Sequence, residues 1–154
     1  MRYIGILIFL SGLTSAAHAD RPQEPFGQWL TQDGEGVITI EPCGAGICGR
    51  ITGMDSPSDS LGRPVTDPQG KPQCGLTILR ETQEAQPGLW QGTITDPNDG
   101  TNWRCEFWMV GETIHLRGYI LFPLLGKTQV WTRYAGSVRP DCGMVKLNLS
   151  PSPT

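Results

Sequence analysis

The sequence predicts an all-β protein, an antiparallel up-and-down meander of eight strands closed into a barrel. Short runs of strand-forming residues recur at intervals of about ten residues, the spacing typical of a sandwich or barrel. The 20 glycines and 13 prolines indicate many turns, and helical periodicity is almost absent. Closing the meander removes its two exposed edges, which favours a barrel over an open sandwich.

The pattern predicts each strand in chain order. The expected strands are residues 27–31, 37–41, 47–52, 76–80, 89–95, 102–109, 113–120 and 128–134, with a polar, proline-rich loop at 53–73. In the sixth strand, Trp103, Cys105 and Phe107 alternate with polar residues, so we expect them to face the interior. Eight strands enclose an interior that side chains fill or that holds one small ligand.

The N-terminus predicts export. Residues 1–19 combine one arginine, an apolar run too short to span a bilayer and the sequence Ala-His-Ala before the expected cut after Ala19. We therefore expect residues 1–19 to be a removed signal peptide, 20–134 to form one barrel domain and 135–154 to form a C-terminal tail. The mature protein is expected to be periplasmic or secreted, without a membrane span.

The charge pattern narrows the range of partners. The formal net charge is −3, and no cluster of lysines and arginines is present. These features argue against nucleic acid as a partner. The sequence leaves the oligomeric state open.

Five cysteines in an exported chain predict a disulfide framework. Cys43 and Cys48 flank a short hairpin turn, where opposite positions come within disulfide range, so we expect them to be bonded. A metal site or a redox centre is disfavoured by the few other ligands and by the spacing. Cys74 and Cys105 are the preferred second pair, with two buried free thiols as the alternative. Cys142 is then either unpaired or the true partner of one of them.

Four segments together resemble one bacterial family. The segments "GQWLTQDGEGVITIEPCGAGICGRI", "GLTIL", "WQGTITDPNDG" and "LRGYILFPLLGKTQVWTR" are similar, in this order, to exported proteins grouped as DUF2147, a domain of unknown function. The resemblance extends from Gly27 to Arg133 and implies a calycin barrel, similar to lipocalins. It also implies that Gly27 and Trp29 open the first strand and that Arg133 packs across Trp29. This chain has the short segment "DPQGKPQ" where family members often have a longer one.

No catalytic constellation is evident. His115 is the only histidine after the signal peptide, and its place on a polar face favours a surface residue over a catalytic base. Asp55, Asp59 and Asp67 lie in the long loop, where they either surround Ca²⁺ or a substrate or are simply solvated. The sequence predicts no metal and no cofactor.

Aromatic residues carry the remaining functional signal. Trp90, Trp103 and Phe107 are expected on interior faces, where they either fill the core or line a ligand cavity. Trp108 shares the outward face and is a candidate contact for a protein partner. The loop "ILFPLL", residues 120–125 with Phe122, is expected to be an apolar rim at the barrel mouth, a dimer surface or a plug.

Three functional hypotheses follow. The first is non-enzymatic binding of a small apolar ligand or a protein partner in the cell envelope. The second is an envelope hydrolase that uses loop carboxylates, and the third is a structural or stress-related envelope protein with a filled barrel. An unfilled interior of roughly 300 Å³ or more favours the first over the third.

Overall fold

The computed structural model describes residues 24–146, and within them eight antiparallel strands form a closed barrel. The strands are β1 (Gly27–Leu30), β2 (Gly36–Cys43), β3 (Gly46–Met54), β4 (Thr77–Gln86), β5 (Leu89–Thr95), β6 (Asn102–Val110), β7 (Thr113–Tyr119) and β8 (Lys127–Arg133). Each strand pairs with its neighbour along the chain, and β8 pairs back with β1. The predicted all-β, up-and-down barrel is therefore confirmed.

The two ends of the barrel differ in their connections. At one end, here called the closed end, tight turns join β2 to β3, β4 to β5 and β6 to β7. At the other end, here called the mouth, longer connections comprise residues 31–35, 55–76, 96–101 and 120–126. The mouth therefore holds most of the irregular chain, which is where binding residues are commonly placed on a rigid scaffold.

Strand β4 is longer than the sequence pattern predicts. The expected strand ended at residue 80, whereas β4 continues to Gln86. Glu81 has a positive φ of 54°, and the register with β5 shifts beside it. This bulge turns Thr82 toward the interior, where it is only 2% exposed. The sequence did not predict this half of the strand, because its residues are mostly polar and the bulge interrupts their alternation.

The C-terminal segment is docked on the outside of the barrel. Strands β9 (Ser137–Val138) and β10 (Met144–Val145) form a small antiparallel hairpin. The N–H of Met54 donates to the carbonyl of Cys142 at 2.7 Å, so the hairpin is joined to the end of β3. The expected signal peptide, residues 1–19, and the end of the tail, residues 147–154, lie outside the described residues.

The disulfides correct one prediction. Cys43 bonds to Cys48 across the hairpin turn, as expected, with a Cα–Cα distance of 5.7 Å. Cys74 bonds to Cys142, with a Cα–Cα distance of 5.9 Å, so the predicted pairing of Cys74 with Cys105 is wrong. Cys74 precedes β4, beside the docked tail, whereas Cys105 lies in β6 on the far side of β5. Cys105 is a buried free thiol.

The closed half of the barrel is filled by side chains. The inward residues Trp29, Ile40, Leu79, Phe107 and Ile114 are each at most 1% exposed. Gly92 faces the same core, and a Cβ there would lie 2.7 Å from Thr82 Oγ1 and 2.8 Å from the carbonyl of Arg80. Only a glycine fits this wall without displacing backbone, which indicates tight packing. Within residues 24–146, no helix has the length and apolarity needed to cross a bilayer.

Candidate functional site

The mouth half of the barrel contains a cavity of about 790 Å³. Its apolar lining comprises the partly exposed Ile94 and Trp103 and six core residues that are each at most 9% exposed, Ile38, Ile51, Met54, Ile78, Leu116 and Trp131. Polar side chains from the mouth connections surround its opening. An apolar interior with a few polar groups near its entrance is the usual form of a small-molecule site.

Two features of the strands leave this half unfilled. Gly118 lines the cavity on β7, and a Cβ there would meet only Trp103 Cβ, at 3.8 Å. Strand β1 is short and pairs with β8 only through Trp29 with Arg133 and Leu30 with Thr132. Further up β8, the N–H of Val130 donates instead to the side chain of Gln32, at 2.8 Å. Toward the mouth, the ladder between β1 and β8 therefore ends, and a side-chain hydrogen bond takes the place of strand pairing.

Strand β8 contributes two polar groups to the cavity wall. Lys127 and Gln129 alternate in phase with Trp131, and all three line the cavity. The indole N–H of Trp131 donates to Gln129 Oε1 at 3.0 Å, which orients that amide. Lys127 makes no ion pair with any residue in the described part of the chain. A polar ligand group near the mouth therefore finds an amide and a free ammonium group.

Four carboxylates lie around the opening, and three of them already have partners. Asp33 accepts a hydrogen bond from the Thr31 hydroxyl at 2.6 Å. Asp96 accepts from the N–H of Asn98 at 2.9 Å, and Asp55 pairs with Lys146 at 3.1 Å. Glu35 is the fourth carboxylate. Asp33 and Asp96 shape turns of the rim and Asp55 is joined to the docked tail, which explains these three carboxylates without a bound cation.

Gln73 fastens two mouth connections together. Its side chain is 4% exposed, and its Nε2 donates to the carbonyl of Pro97 at 3.0 Å and to Asn98 Oδ1 at 3.2 Å. The same nitrogen also reaches the carbonyl of Thr66. A buried amide bonded to main chain on separate loops fixes their relative position. One side of the cavity entrance is therefore rigid.

Only one of the three aromatic candidates borders the cavity. Trp103 lines it, whereas Trp90 and Phe107 are not among the described residues that do. Their rings stack on each other in the filled half, with centroids 6.3 Å apart and planes inclined by 11°. Of the two alternatives that the sequence leaves open for Trp90 and Phe107, core packing therefore fits better than cavity lining, because both rings belong to the core below the cavity.

The outward candidates are exposed to different degrees. Trp108 is half-buried on the outer face of β6, and its ring lies 5.8 Å from that of His115 on β7. Phe122 is 64% exposed in the connection between β7 and β8. Of the segment 120–125, only Leu125 borders the cavity, so this loop does not plug the barrel. A partner contact at Trp108 or Phe122 stays a prediction.

The residues that the resemblance singles out meet where the barrel closes. The guanidinium carbon of Arg133 lies 3.9 Å from the ring centroid of Trp29. Gly27 has a φ of 114°, a conformation that requires glycine. A Cβ there would lie 2.8 Å from an Arg133 nitrogen and would displace the end of that side chain. The cation–π contact stabilises the closure by roughly 0.5–2 kcal/mol. It is structural and lies apart from the cavity.

The long loop does not gather its carboxylates. Asp59 accepts hydrogen bonds from the N–H groups of Leu61 and Arg63, and the bond from Arg63 is the main cause that lowers the pKa of Asp59. Asp67 accepts in the same way from the N–H groups of Gln69 and Lys71. Among residues 24–146, no group of three or more acidic, histidine or cysteine side chains is placed to hold a metal ion.

Sequence reasoning missed Gly118, Lys127, Gln129 and Trp131 as cavity residues. The alternation of β8 contained the signal, because Arg133 was expected against Trp29 and the positions two, four and six residues before it share its face. Lysine and glutamine at such positions resemble surface residues. Their inward direction is visible only once the barrel is known to be hollow there.

Comparisons with other proteins place the chain in a family. Residues 27–133 match a family described as an uncharacterised protein conserved in bacteria, DUF2147. A search of curated proteins and a search of solved structures each gave no match. The matched range runs from the first residue of β1 to the last residue of β8, so it covers the whole barrel and its cavity. The chain therefore belongs to the DUF2147 family.

Proposed function

We propose that this protein binds a small, mainly apolar ligand in the mouth half of its barrel, without catalysis, in the cell envelope. The observation that carries the proposal is the cavity of about 790 Å³, which falls within the range of roughly 300–1,000 Å³ typical of ligand sites. Its floor offers two tryptophans and several aliphatic side chains. Water beside apolar side chains forms few hydrogen bonds with them, so replacing this water with an apolar ligand is favourable.

The polar groups of the wall suggest how a ligand is oriented. Lys127 and Gln129 lie on β8 near the opening, whereas Trp131 lies deeper on the same face. An elongated ligand would place its apolar body against Trp103 and Trp131 and a polar end beside Lys127. This arrangement leaves no buried polar group of the wall unpaired.

The other two hypotheses explain fewer observations. A filled barrel describes the closed half, but it leaves the space beside Gly118 without a reason. For a hydrolase, Asp59 and Asp67 are committed to turns and Asp55 is paired with Lys146. The pKa of Asp59 is also lowered, opposite to the shift that a general acid needs near neutral pH. The two disulfides support an oxidising compartment, in agreement with the expected signal peptide.

A titration with Nile red, an uncharged apolar dye, tests the proposal. We expect saturable binding to the wild-type protein. The variant Gly118→Leu occupies the part of the cavity beside Trp103 and should weaken binding by about tenfold or more, equivalent to about 1.4 kcal/mol. The control Gln91→Leu places the same side chain on an exposed outer position and should bind as the wild type does.

Thermal melting establishes that each variant is folded, and Gly118→Val serves as a smaller plug. Equal dye binding by the wild type and a folded plug variant would contradict the proposal. The absence of any stabilising lipid or hydrophobe in a thermal-shift screen of the wild type would contradict it as well.

A further inference from the structure

The connection from β7 to β8 carries a concentrated apolar surface. The segment 120–125, here called the apolar loop, includes a single 3-10 turn, Pro123–Leu125. The exposed fractions of Ile120, Leu121, Phe122, Leu124 and Leu125 range from 64% to 87%. Single exposed apolar residues are normal, but five within six residues form a patch of the kind that marks an interaction site.

Three consecutive carbonyls of the apolar loop, those of Phe122, Pro123 and Leu124, are paired within the protein. Arg117 donates from Nε to the carbonyl of Pro123 and from Nη2 to that of Leu124, the latter at 3.1 Å. The N–H of Leu125 donates to the carbonyl of Phe122 at 3.1 Å. Carbonyl groups that enter hydrocarbon are costly unless they are paired within the protein. The pairing of these three carbonyls therefore lowers the cost of placing the turn against lipid.

The position of the apolar loop connects it to the cavity. Leu125 borders the opening, and the cavity residues Gly118 and Lys127 lie on either side of the loop in the chain. A ligand that enters or leaves the mouth on this side passes the loop. Apolar ligands partition out of water, so a protein that exchanges them gains from contact with the phase in which they dissolve.

We infer that the apolar loop docks the protein on a zwitterionic lipid surface and that ligand passes between this surface and the cavity, an inference that rests on the proposed function. A lipid surface fits better than a second copy of the chain, because six residues are far fewer than the roughly 20–30 that each side of a stable protein interface contributes. The net charge of −3 favours zwitterionic over anionic lipid.

Flotation with phosphatidylcholine vesicles tests docking in the absence of ligand. We expect the wild-type protein to float with the vesicles and the double variant Leu121→Glu, Leu124→Glu to lose about tenfold or more of its bound fraction. The matched control is Val110→Glu, which adds one carboxylate at the closed end, where Val110 is 50% exposed. It should float like the wild type.

A separate variant tests the role of the paired backbone. Arg117→Ala keeps every apolar side chain of the loop but removes the donors to Pro123 and Leu124. We expect reduced flotation with little change in thermal stability, because Arg117 lies on the outer side of β7. Its one other side-chain bond is an exposed one, to the Thr128 hydroxyl on β8 at 2.8 Å. Flotation equal to the wild type would contradict the argument from backbone pairing.

Transfer of Nile red from vesicles to protein tests the passage of ligand. The loop double variant should bind free Nile red as the wild type does but acquire it from vesicles more slowly, whereas Gly118→Leu should float normally and fail to extract dye. Failure of the wild type to float would overturn the docking inference. The proposed ligand cavity would still be tested separately, by dye binding in buffer. Concentration-dependent dimerisation that the double variant abolishes, without flotation, would assign the loop to self-association and overturn the inference.

Discussion

Trp103 and Phe107 lie four residues apart on the same inward face of β6, yet they belong to different environments. Phe107 is fully buried and stacks on Trp90, whereas Trp103 borders a cavity of about 790 Å³. The same eight strands therefore build a filled half at the closed end and a hollow half at the mouth. The two halves differ in which side chains point inward, in the connections between the strands and in the pairing of β1 with β8, which stops at Leu30.

Two glycines make the same comparison. Gly92 and Gly118 both lie on the barrel wall, but a Cβ at Gly92 would collide with backbone. A Cβ at Gly118 would lie at ordinary contact distance from Trp103. In the filled half, glycine allows neighbouring groups to approach closely. In the hollow half, glycine leaves room that no residue among 24–146 occupies. Stability and binding are thus expected to depend on different halves.

The largest expected effect separates the two aromatic residues of β6. Phe107→Ala removes a buried ring from the packed half and should lower the free energy of unfolding by about 3–5 kcal/mol. Trp103→Ala should cost clearly less, because part of its ring already faces the cavity, but it should weaken Nile red binding. Urea denaturation and dye titration of both variants measure these effects. Equal losses of stability would contradict the division into two halves.

The disulfides should show a similar contrast. Cys74–Cys142 closes a separation of 68 residues and ties the docked tail to the mouth connections, whereas Cys43–Cys48 spans 5 residues at the closed end. Chain-entropy arguments assign about 4 kcal/mol to the long bridge and about 2 kcal/mol to the short one. Replacing each pair by serine and measuring urea denaturation compares them. A greater loss from the short bridge would show that the docked tail contributes little.

The glycine pair gives an intermediate effect. Gly92→Ala should destabilise by about 1–3 kcal/mol, because its methyl group overlaps Thr82 and the Arg80 carbonyl. Gly118→Ala should change stability by about 0.5 kcal/mol or less, since the methyl group enters open space. Thermal melting of both variants measures these changes in stability. A large loss from Gly118→Ala would indicate that the mouth half is packed.

The smallest expected effect near neutral pH concerns Cys105. Burial raises the pKa of its thiol from 9.0 to about 12, so the thiol stays protonated in the folded protein while it ionises in the unfolded chain above pH 9. The wild type should therefore lose stability above pH 9, by about 1.4 kcal/mol for each further pH unit until about pH 12. Cys105→Ala should lack this part of the decline. Identical pH profiles would contradict the assignment, as would maleimide labelling of the folded protein at neutral pH.

The barrel was predictable because alternation, turn spacing and the short hairpins are local properties of the sequence. The Cys43–Cys48 bond was predictable for the same reason, since both residues flank one turn. Cys74–Cys142 depends on where a tail of low periodicity docks, and the second half of β4 depends on a bulge at Glu81. Neither leaves a pattern that can be read along the chain.

The sequence predicted the cavity only as one of two alternatives, the other being a filled core. Alternation identifies inward positions, but it does not give the volume between them, so Trp90, Trp103 and Phe107 looked equivalent. Lys127 and Gln129 looked like surface residues because their polarity contradicts an apolar interior. The separation of filled and hollow halves depends on strand length and register, chiefly on the short β1 and its limited pairing with β8.

The most direct test follows the indole N–H signals of the tryptophans by heteronuclear NMR during titration with Nile red, with assignments from single Trp→Phe variants. The cavity residues Trp103 and Trp131 should shift with saturation, whereas Trp29 and Trp90 in the filled half should change little. Saturable shifts confined to Trp29 and Trp90, or to Trp108 on the outer face, would contradict a ligand site in the mouth half of the barrel.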